Sequence, residues 1–188
     1  TPHHMEHLHK ESVLEEHLVK QLVSLQGYIE RQPENYDRGL ALDKELVVRF
    51  VRATQPAEWA KLESHYTTSA EAEFFKQLEK ALKQRGTLDV LRRGIKMVPG
   101  IRFVLCAFRP ASSLNPDLMK LYEANILSVM RQSRYSLKSE NAIDVVLFVN
   151  GIPVATMELK NRLTGSTYRH AEKQYRTDRP PAGEPLLT

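Results

Sequence analysis

The chain has 188 residues, 41% hydrophobic and 27% charged, which suits one globular domain with a sizeable core. No apolar run approaches the ~20 residues of a membrane span, no leader pattern opens the sequence, and the single cysteine, Cys106, excludes an internal disulfide and fits a reducing cytoplasm. A formal net charge of +4 permits nucleic acid as a partner without demanding it.

Four of the seven histidines (His3, His4, His7, His9) stand in the first ten residues. No cysteine accompanies them as zinc ligands usually require, so residues 1–11 are read as a flexible lead-in to the first helix. From Ser12 the apolar positions Val13, Leu14, Leu18, Leu22 and Leu25 recur at helical spacing, and Gly27 supplies a stop. Ser12-x-x-Glu15 fits a capping box. A strand or turn and then a polar loop follow over residues 28–40. Residues 43–52 form a short amphipathic helix with Asp43 as N-cap and Leu46, Val47 and Phe50 inward. Gln55-Pro56 breaks the chain and opens the next helix. Its Trp59 reads as a core anchor rather than a base-stacking platform. A further helix covers residues 69–84, with Phe74, Phe75, Leu78 and Leu82 on one side and Gly86 ending it.

Residues 88–95 fit either a strand or a helical turn. Arg92, Arg93 and Lys96 in that region are a solvated basic turn or a phosphate contact. Residues 101–108 form an apolar run read as a strand, with Cys106 a small core residue. Asn115-Pro116 starts a further helix. Residues 127–135 alternate like a strand, with Val129, Arg131 and Ser133 on one face. Arg131, Arg134 and Lys138 lead into the next element as solvated charge or as a hold on a phosphate backbone.

Residues 141–161 are two apolar runs joined at Asn150-Gly151, a strong hairpin signal because both residues tolerate positive φ. The first run is apolar on both alternating faces, so it belongs inside a sheet. Asp144, Glu158 and Lys160 interrupt that background, and a charge in a buried strand is costly unless paired or metal-bound. Two carboxylates beside an ammonium are a candidate Mg²⁺ site and water activator. Glu158 and Lys160 share a face. Asp144 joins them only if the pairing shifts by one residue, so the spacing predicts a three-residue turn (residues 149–151) or an equivalent bulge near Pro153. Beyond Lys160, residues 164–179 read as a polar helix, and Pro180, Pro181 and Pro185 end it.

Asp144 followed by Glu158-x-Lys160 on the next strand resembles the metal-dependent nuclease core called PD-(D/E)xK. A wider set of stretches is similar to the N-terminal region of the restriction (R, or HsdR) subunit of type I restriction–modification enzymes. They include Asn35-Tyr36-Asp37-Arg38, Ala53-Thr54-Gln55-Pro56 with Trp59, Gly86-Thr87-Leu88-Asp89, Phe108-Arg109-Pro110, the hairpin itself and Gln174-Tyr175-Arg176-Thr177-Asp178-Arg179. The resemblance runs from about Glu11 to the end of the chain.

The resemblance implies an α/β fold with a mixed central β-sheet flanked by helices, the hairpin at its centre, and an endonuclease domain over residues 12–188. Asp144 and Glu158 would hold Mg²⁺ (or Mn²⁺) with the Leu159 carbonyl, and Glu15 of the first helix, with Glu16 next in line, would stand beside the metal unless it only caps the helix. Lys160 would orient or deprotonate water, and Gln174 would support the site or touch DNA. In RecB-like nucleases a tyrosine follows that glutamine by four residues. Here Asp178 holds that place and Tyr175 is adjacent. Arg92, Arg93, Arg131, Arg134, Lys138 and Arg176 are candidate contacts to double-stranded DNA. The chain has no G-x-x-x-x-G-K-[ST] loop, so ATP use is expected in a part of the R subunit outside it. Partners would be the methylation (M) and specificity (S) subunits, in the cytoplasm and away from membranes. The alternative is an inactive nuclease-fold module kept for assembly or docking.

Overall fold

No glycine or proline stands between Pro2 and Gln26, so nothing interrupts the hydrogen-bond ladder of the first helix, α1 (Pro2–Gln26). In the computed structural model the backbone is described for residues 2–112, 114–134 and 142–158, and side chains for residues 13–112, 114–131 and 145–158. The helix takes in the stretch read as a lead-in, and Ser12 and Glu15 lie within it rather than at a cap. Gly27, at φ +71°, ends it.

Strand β1 (Ile29–Arg31) and a 3₁₀ turn (Pro33–Asn35) follow, then α2 (Lys44–Thr54). Asp43 caps α2 as expected, its Oδ1 accepting from the Leu46 N–H at 3.4 Å. Helices α3 (Pro56–Tyr66), α4 (Ala70–Arg85) and α5 (Thr87–Arg93) come next. The undecided stretch 88–95 thus resolves as helix with a strand residue at its end. Strands β2 (Ile95–Met97) and β3 (Ile101–Phe103) form an antiparallel pair. Helix α6 (Pro116–Glu123) is capped by Asn115, whose Oδ1 accepts from the Asp117 and Leu118 N–H groups. The last described elements are β4 (Leu127–Arg134), β5 (Ala142–Val149) and β6 (Ile152–Met157). The helix and extended segment expected after Gly165 lie outside the described residues.

The chain divides into two compact units. Unit 1 holds residues 1–41, 127–148 and 153–188, and unit 2 holds 42–126 and 149–152. The sheet of unit 1 runs β1-β4-β5-β6. Strands β1 and β4 are parallel, Ile29 pairing with Ser128, while the two-residue link makes β5 and β6 antiparallel, so the sheet is mixed. Strand β5 is interior as predicted, but β6 is outermost among the described strands.

One face of the sheet packs Val129 and Val145 against Val19, with Leu18, Leu22 and Met157 around them. The other face buries Met130, Val146 and Phe148 with Tyr36 and Ala41. The expected helices on both sides are therefore not found among the described residues of this unit: α1 covers one face and the loop after β1 covers the other. Val13, Leu14 and Leu25 of the predicted stripe are 52%, 45% and 72% exposed, and the face α1 turns to the sheet carries Glu15, Leu18, Val19 and Leu22 instead.

In unit 2, Trp59 is buried and edge-on to Phe74 and Phe103, with ring centroids at 5.4 and 6.1 Å, and its Nε1–H donates to Glu63 at 2.8 Å. It is a core anchor. The strand expected over residues 101–108 stops at Phe103, because side-chain amides replace a neighbouring strand beyond it. The Gln55 amide donates to the Val104 carbonyl at 2.8 Å and accepts its N–H at 2.7 Å. Asn125 does the same for Ala107 at 2.6 and 3.1 Å, and the Asn150 Nδ2 donates to the Leu105 carbonyl at 2.9 Å. Buried backbone groups need partners, and three amides supply them here. Cys106, in this segment, is half-buried.

The turn between β5 and β6 has two residues, with Asn150 at φ +50° and Gly151 at φ +79°. The expected three-residue loop is not adopted, since paired positive φ suits a two-residue link. The shift in phase comes further along. Val149 opposite Ile152, with unbroken alternation, would put Met157 on the face of Val146 and Phe148. Met157 instead packs on the Val19–Val129–Val145 face. A one-residue slip of side-chain phase between Ile152 and Met157 accounts for this packing.

Candidate functional site: the hairpin and the helix over the sheet

Position 144 is the third residue of β5, and Glu158 follows directly on β6, half-buried. The Asp144 side chain, Leu159, Lys160, Gln174, Arg176 and Lys138 lie outside the described residues, as does the Arg134 side chain at the end of β4. Of the proposed catalytic set, the described carboxylate is thus Glu158.

On the α1 face the structure is explicit. Glu15 stands one turn before Leu18 and Val19, so the phase that buries those residues buries it too. Its side chain is 5% exposed and accepts from Arg131 Nε at 2.7 Å, while Arg131 is 28% exposed. Val129 and Arg131 share that face, as the alternation of β4 predicts. Glu16, one residue on, points to solvent and pairs with Lys20 at 2.7 Å. The Lys20 ammonium, by hydrogen bond and charge, holds the Glu16 carboxyl below its usual value, and Arg131 adds to this. So Glu15, not Glu16, faces the sheet, but its carboxylate is taken up by a guanidinium. Arg131 likewise is an internal ion-pair partner before it is a DNA contact. The sequence carried one sign of this pair, a carboxylate in phase with the buried stripe.

A family model of the type I restriction enzyme R protein N terminus (HSDR_N) matches residues 9–187. The chain belongs to that family. No curated protein and no solved structure gives a significant match. This R-protein N terminus has no helix, among its described residues, long and apolar enough to cross a membrane.

The two arginines proposed to contact DNA from α5 are both exposed in unit 2. Arg93 Nε lies 3.2 Å from Asp89, which also pairs with Arg85 at 2.6 Å. Among the described residues of the R-protein N terminus, no group of three or more His, Cys, Asp and Glu is poised to hold a metal. Asn150 contributes more than sequence reading gave it. Its Oδ1 accepts the Ile126 N–H at 2.6 Å and its Nδ2 donates to Asn125 at 2.9 Å, so this buried side chain fixes the turn within unit 2. Asn-Gly as a turn signal accounts for the backbone and is silent on these bonds.

Proposed function

We propose that this R-protein N terminus is the metal-dependent DNA endonuclease domain of its restriction complex, with a PD-(D/E)xK active site on the β5–β6 hairpin. The observation that carries the reading is the slip in phase within β6. Were the alternation to continue one residue past Met157, Glu158 would share the face of Val146 and Phe148, and so that of position 144 on the neighbouring strand, which supports a shared site. A regular two-residue hairpin would have separated the two positions onto opposite faces.

Two carboxylates and a backbone carbonyl are hard oxygen donors and fit a hard divalent cation. Asp144, Glu158 and the Leu159 carbonyl would hold Mg²⁺ or Mn²⁺. When bound, the ion would polarise a phosphoryl oxygen and lower the pKa of water. Lys160 would orient or deprotonate the attacking water and, as the ammonium, offset charge building on the phosphate. Gln174 would support the site or contact DNA, together with Arg134, Lys138 and Arg176. Glu15 stays out of the ligand set because its partner is Arg131. Double-stranded DNA and the M and S subunits would be the partners. ATP hydrolysis would belong to motor parts of the R subunit.

The test is Mn²⁺ binding by calorimetry beside nicking of supercoiled DNA. Wild-type chain should bind the ion with at least tenfold higher affinity than Glu158→Ala and Asp144→Ala. Unchanged ion affinity in both variants would remove the site, and intact nicking in both would remove the function. Ion binding that depends on both carboxylates, with no cleavage by an assembled complex, would leave an inactive docking module.

A further inference from the structure

Unit 2 contains a feature that the hairpin chemistry does not use. Helices α4 and α5 and the β2–β3 pair enclose an open groove of about 690 Å³. Five cations line it, Lys80, Arg85, Arg93, Lys96 and Arg102, against the single carboxylate of Asp89. Two of the five are committed. Arg85 braces α5, its Nε on Asp89 at 2.6 Å and its NH1 on the Gly94 carbonyl at 2.8 Å, and Arg93 holds the other oxygen of Asp89. Lys80, Lys96 and Arg102 have no ion-pair partner among the described residues, and all three are exposed.

Lys96 and Arg102 are directly opposed in the β2–β3 ladder. Each is the outward residue of a three-residue strand whose other two residues are buried. Like charges directly opposite in an antiparallel pair repel and destabilise the pairing. Asp89 cannot relieve them, because two arginines already share it. An anion between the two cations would turn a cost of folding into a gain on binding. The rest of the lining offers a protein partner little to hold. No aromatic side chain and no exposed apolar anchor lines the groove, as a protein partner would require. An open trough with cations from two directions suits a continuous polyanion held by its charge alone.

We propose that this groove docks the sugar–phosphate backbone of double-stranded DNA, with Lys96 and Arg102 clamping one phosphate and Lys80 contacting another. The inference rests on DNA being the partner and is independent of whether the hairpin cuts it. It adds Lys80, Lys96 and Arg102 to the expected contacts and moves emphasis from Arg92 and Arg93. Such contacts position the duplex and do not read its sequence.

The experiment is fluorescence anisotropy of the chain on a short blunt duplex across a salt series. Lys96→Gln/Arg102→Gln should weaken binding about tenfold or more, equally for unrelated sequences, and flatten the slope of log K against log salt by about 2. Arg49→Gln, an exposed site on α2 paired with Glu45, is the control and should change neither. Lys96→Glu separates binding from folding. It makes an attractive pair with Arg102, so the Tm should rise by about 1–3 °C while DNA affinity falls. A misfolded variant would lose both. Equal slopes for wild type and the double variant, or no salt-dependent binding by wild type, would overturn the groove. So would a double variant that keeps DNA affinity but loses the M or S subunits, which would make the groove a protein interface. The anisotropy is read in excess chelator, where no ion on the hairpin contributes to affinity, so failure of the cutting site and failure of the groove read differently.

Discussion

Glu15 and Arg131 meet at 2.7 Å across 116 residues of sequence, and their worth depends on which one is removed. A buried ion pair gives little net stability, but one partner left alone carries the full cost of an uncompensated charge. Glu15→Gln and Arg131→Met should each destabilise the chain by about 3 kcal/mol in urea denaturation, at the low end for a buried pair because Arg131 keeps some exposure. The double change Glu15→Met/Arg131→Met should recover most of that loss. Were Glu15 a metal ligand instead, its single variant would lose ion affinity with little change in stability. Cys106 gives a second residue-scale prediction. Burial raises its thiol above the ordinary value, so less thiolate is present at pH 8. Alkylation by iodoacetamide should be slower than for a free thiol, with its pH midpoint displaced upward. Rates matching free cysteine would contradict this. Neither feature is fully legible in sequence, since each depends on groups far along the chain.

Helices announced themselves by local chemistry. The caps at Asp43 and Asn115, the proline opening α3 and the glycine at 86 all act within one turn, and each stands where its sequence signal put it. One local signal misled, the capping box at Ser12, which lies inside α1, and the other failure depended on distant partners. The strand over residues 101–108 was cut short by amides from Gln55, Asn125 and Asn150, and no periodicity reports them. The hairpin was foreseen, and of the two devices expected for its change of phase the three-residue turn is not adopted, which leaves the irregularity beyond it, on the side of Pro153. The turn itself tolerates little change. At Gly151 an added Cβ would collide with the Asp43 carbonyl and with Val47, at a positive φ that side chains resist. Gly151→Ala should cost at least about 2 kcal/mol. Asn150→Ala should cost about 3 kcal/mol, because it strands the Ile126 N–H and the Leu105 carbonyl in a buried site. Melting curves check both, and values within ~0.5 kcal/mol of wild type would show that the turn is not held as described.

At the scale of the molecule, four residues of the hairpin (149–152) belong to one unit and both of its flanking strands to the other. The catalytic proposal concerns the strands, and the DNA-docking proposal concerns the unit that owns the turn. Two predictions follow for an assembled restriction enzyme. Lys160→Ala should abolish cleavage while ATP hydrolysis persists, and parallel loss of both in an intact complex would contradict the separation of roles. Cleavage should require Mg²⁺ or Mn²⁺, with Ca²⁺ supporting binding but not cutting, because its looser coordination suits the ligands and not the reaction. Efficient cutting in excess chelator would refute it.

The parallel pairing of β1 with β4 also sets a timetable. Ile29 leaves the ribosome about a hundred residues before Ser128, its partner in the sheet. At ~5–20 residues per second that is a wait of about 5–20 s. An unpaired strand edge exposed for so long invites pairing with the wrong chain. Strand β1 is three residues long and reads Ile-Glu-Arg. Its brevity and its two charges make it a poor template for any other strand, so the newborn chain can carry it unpaired until β4 arrives.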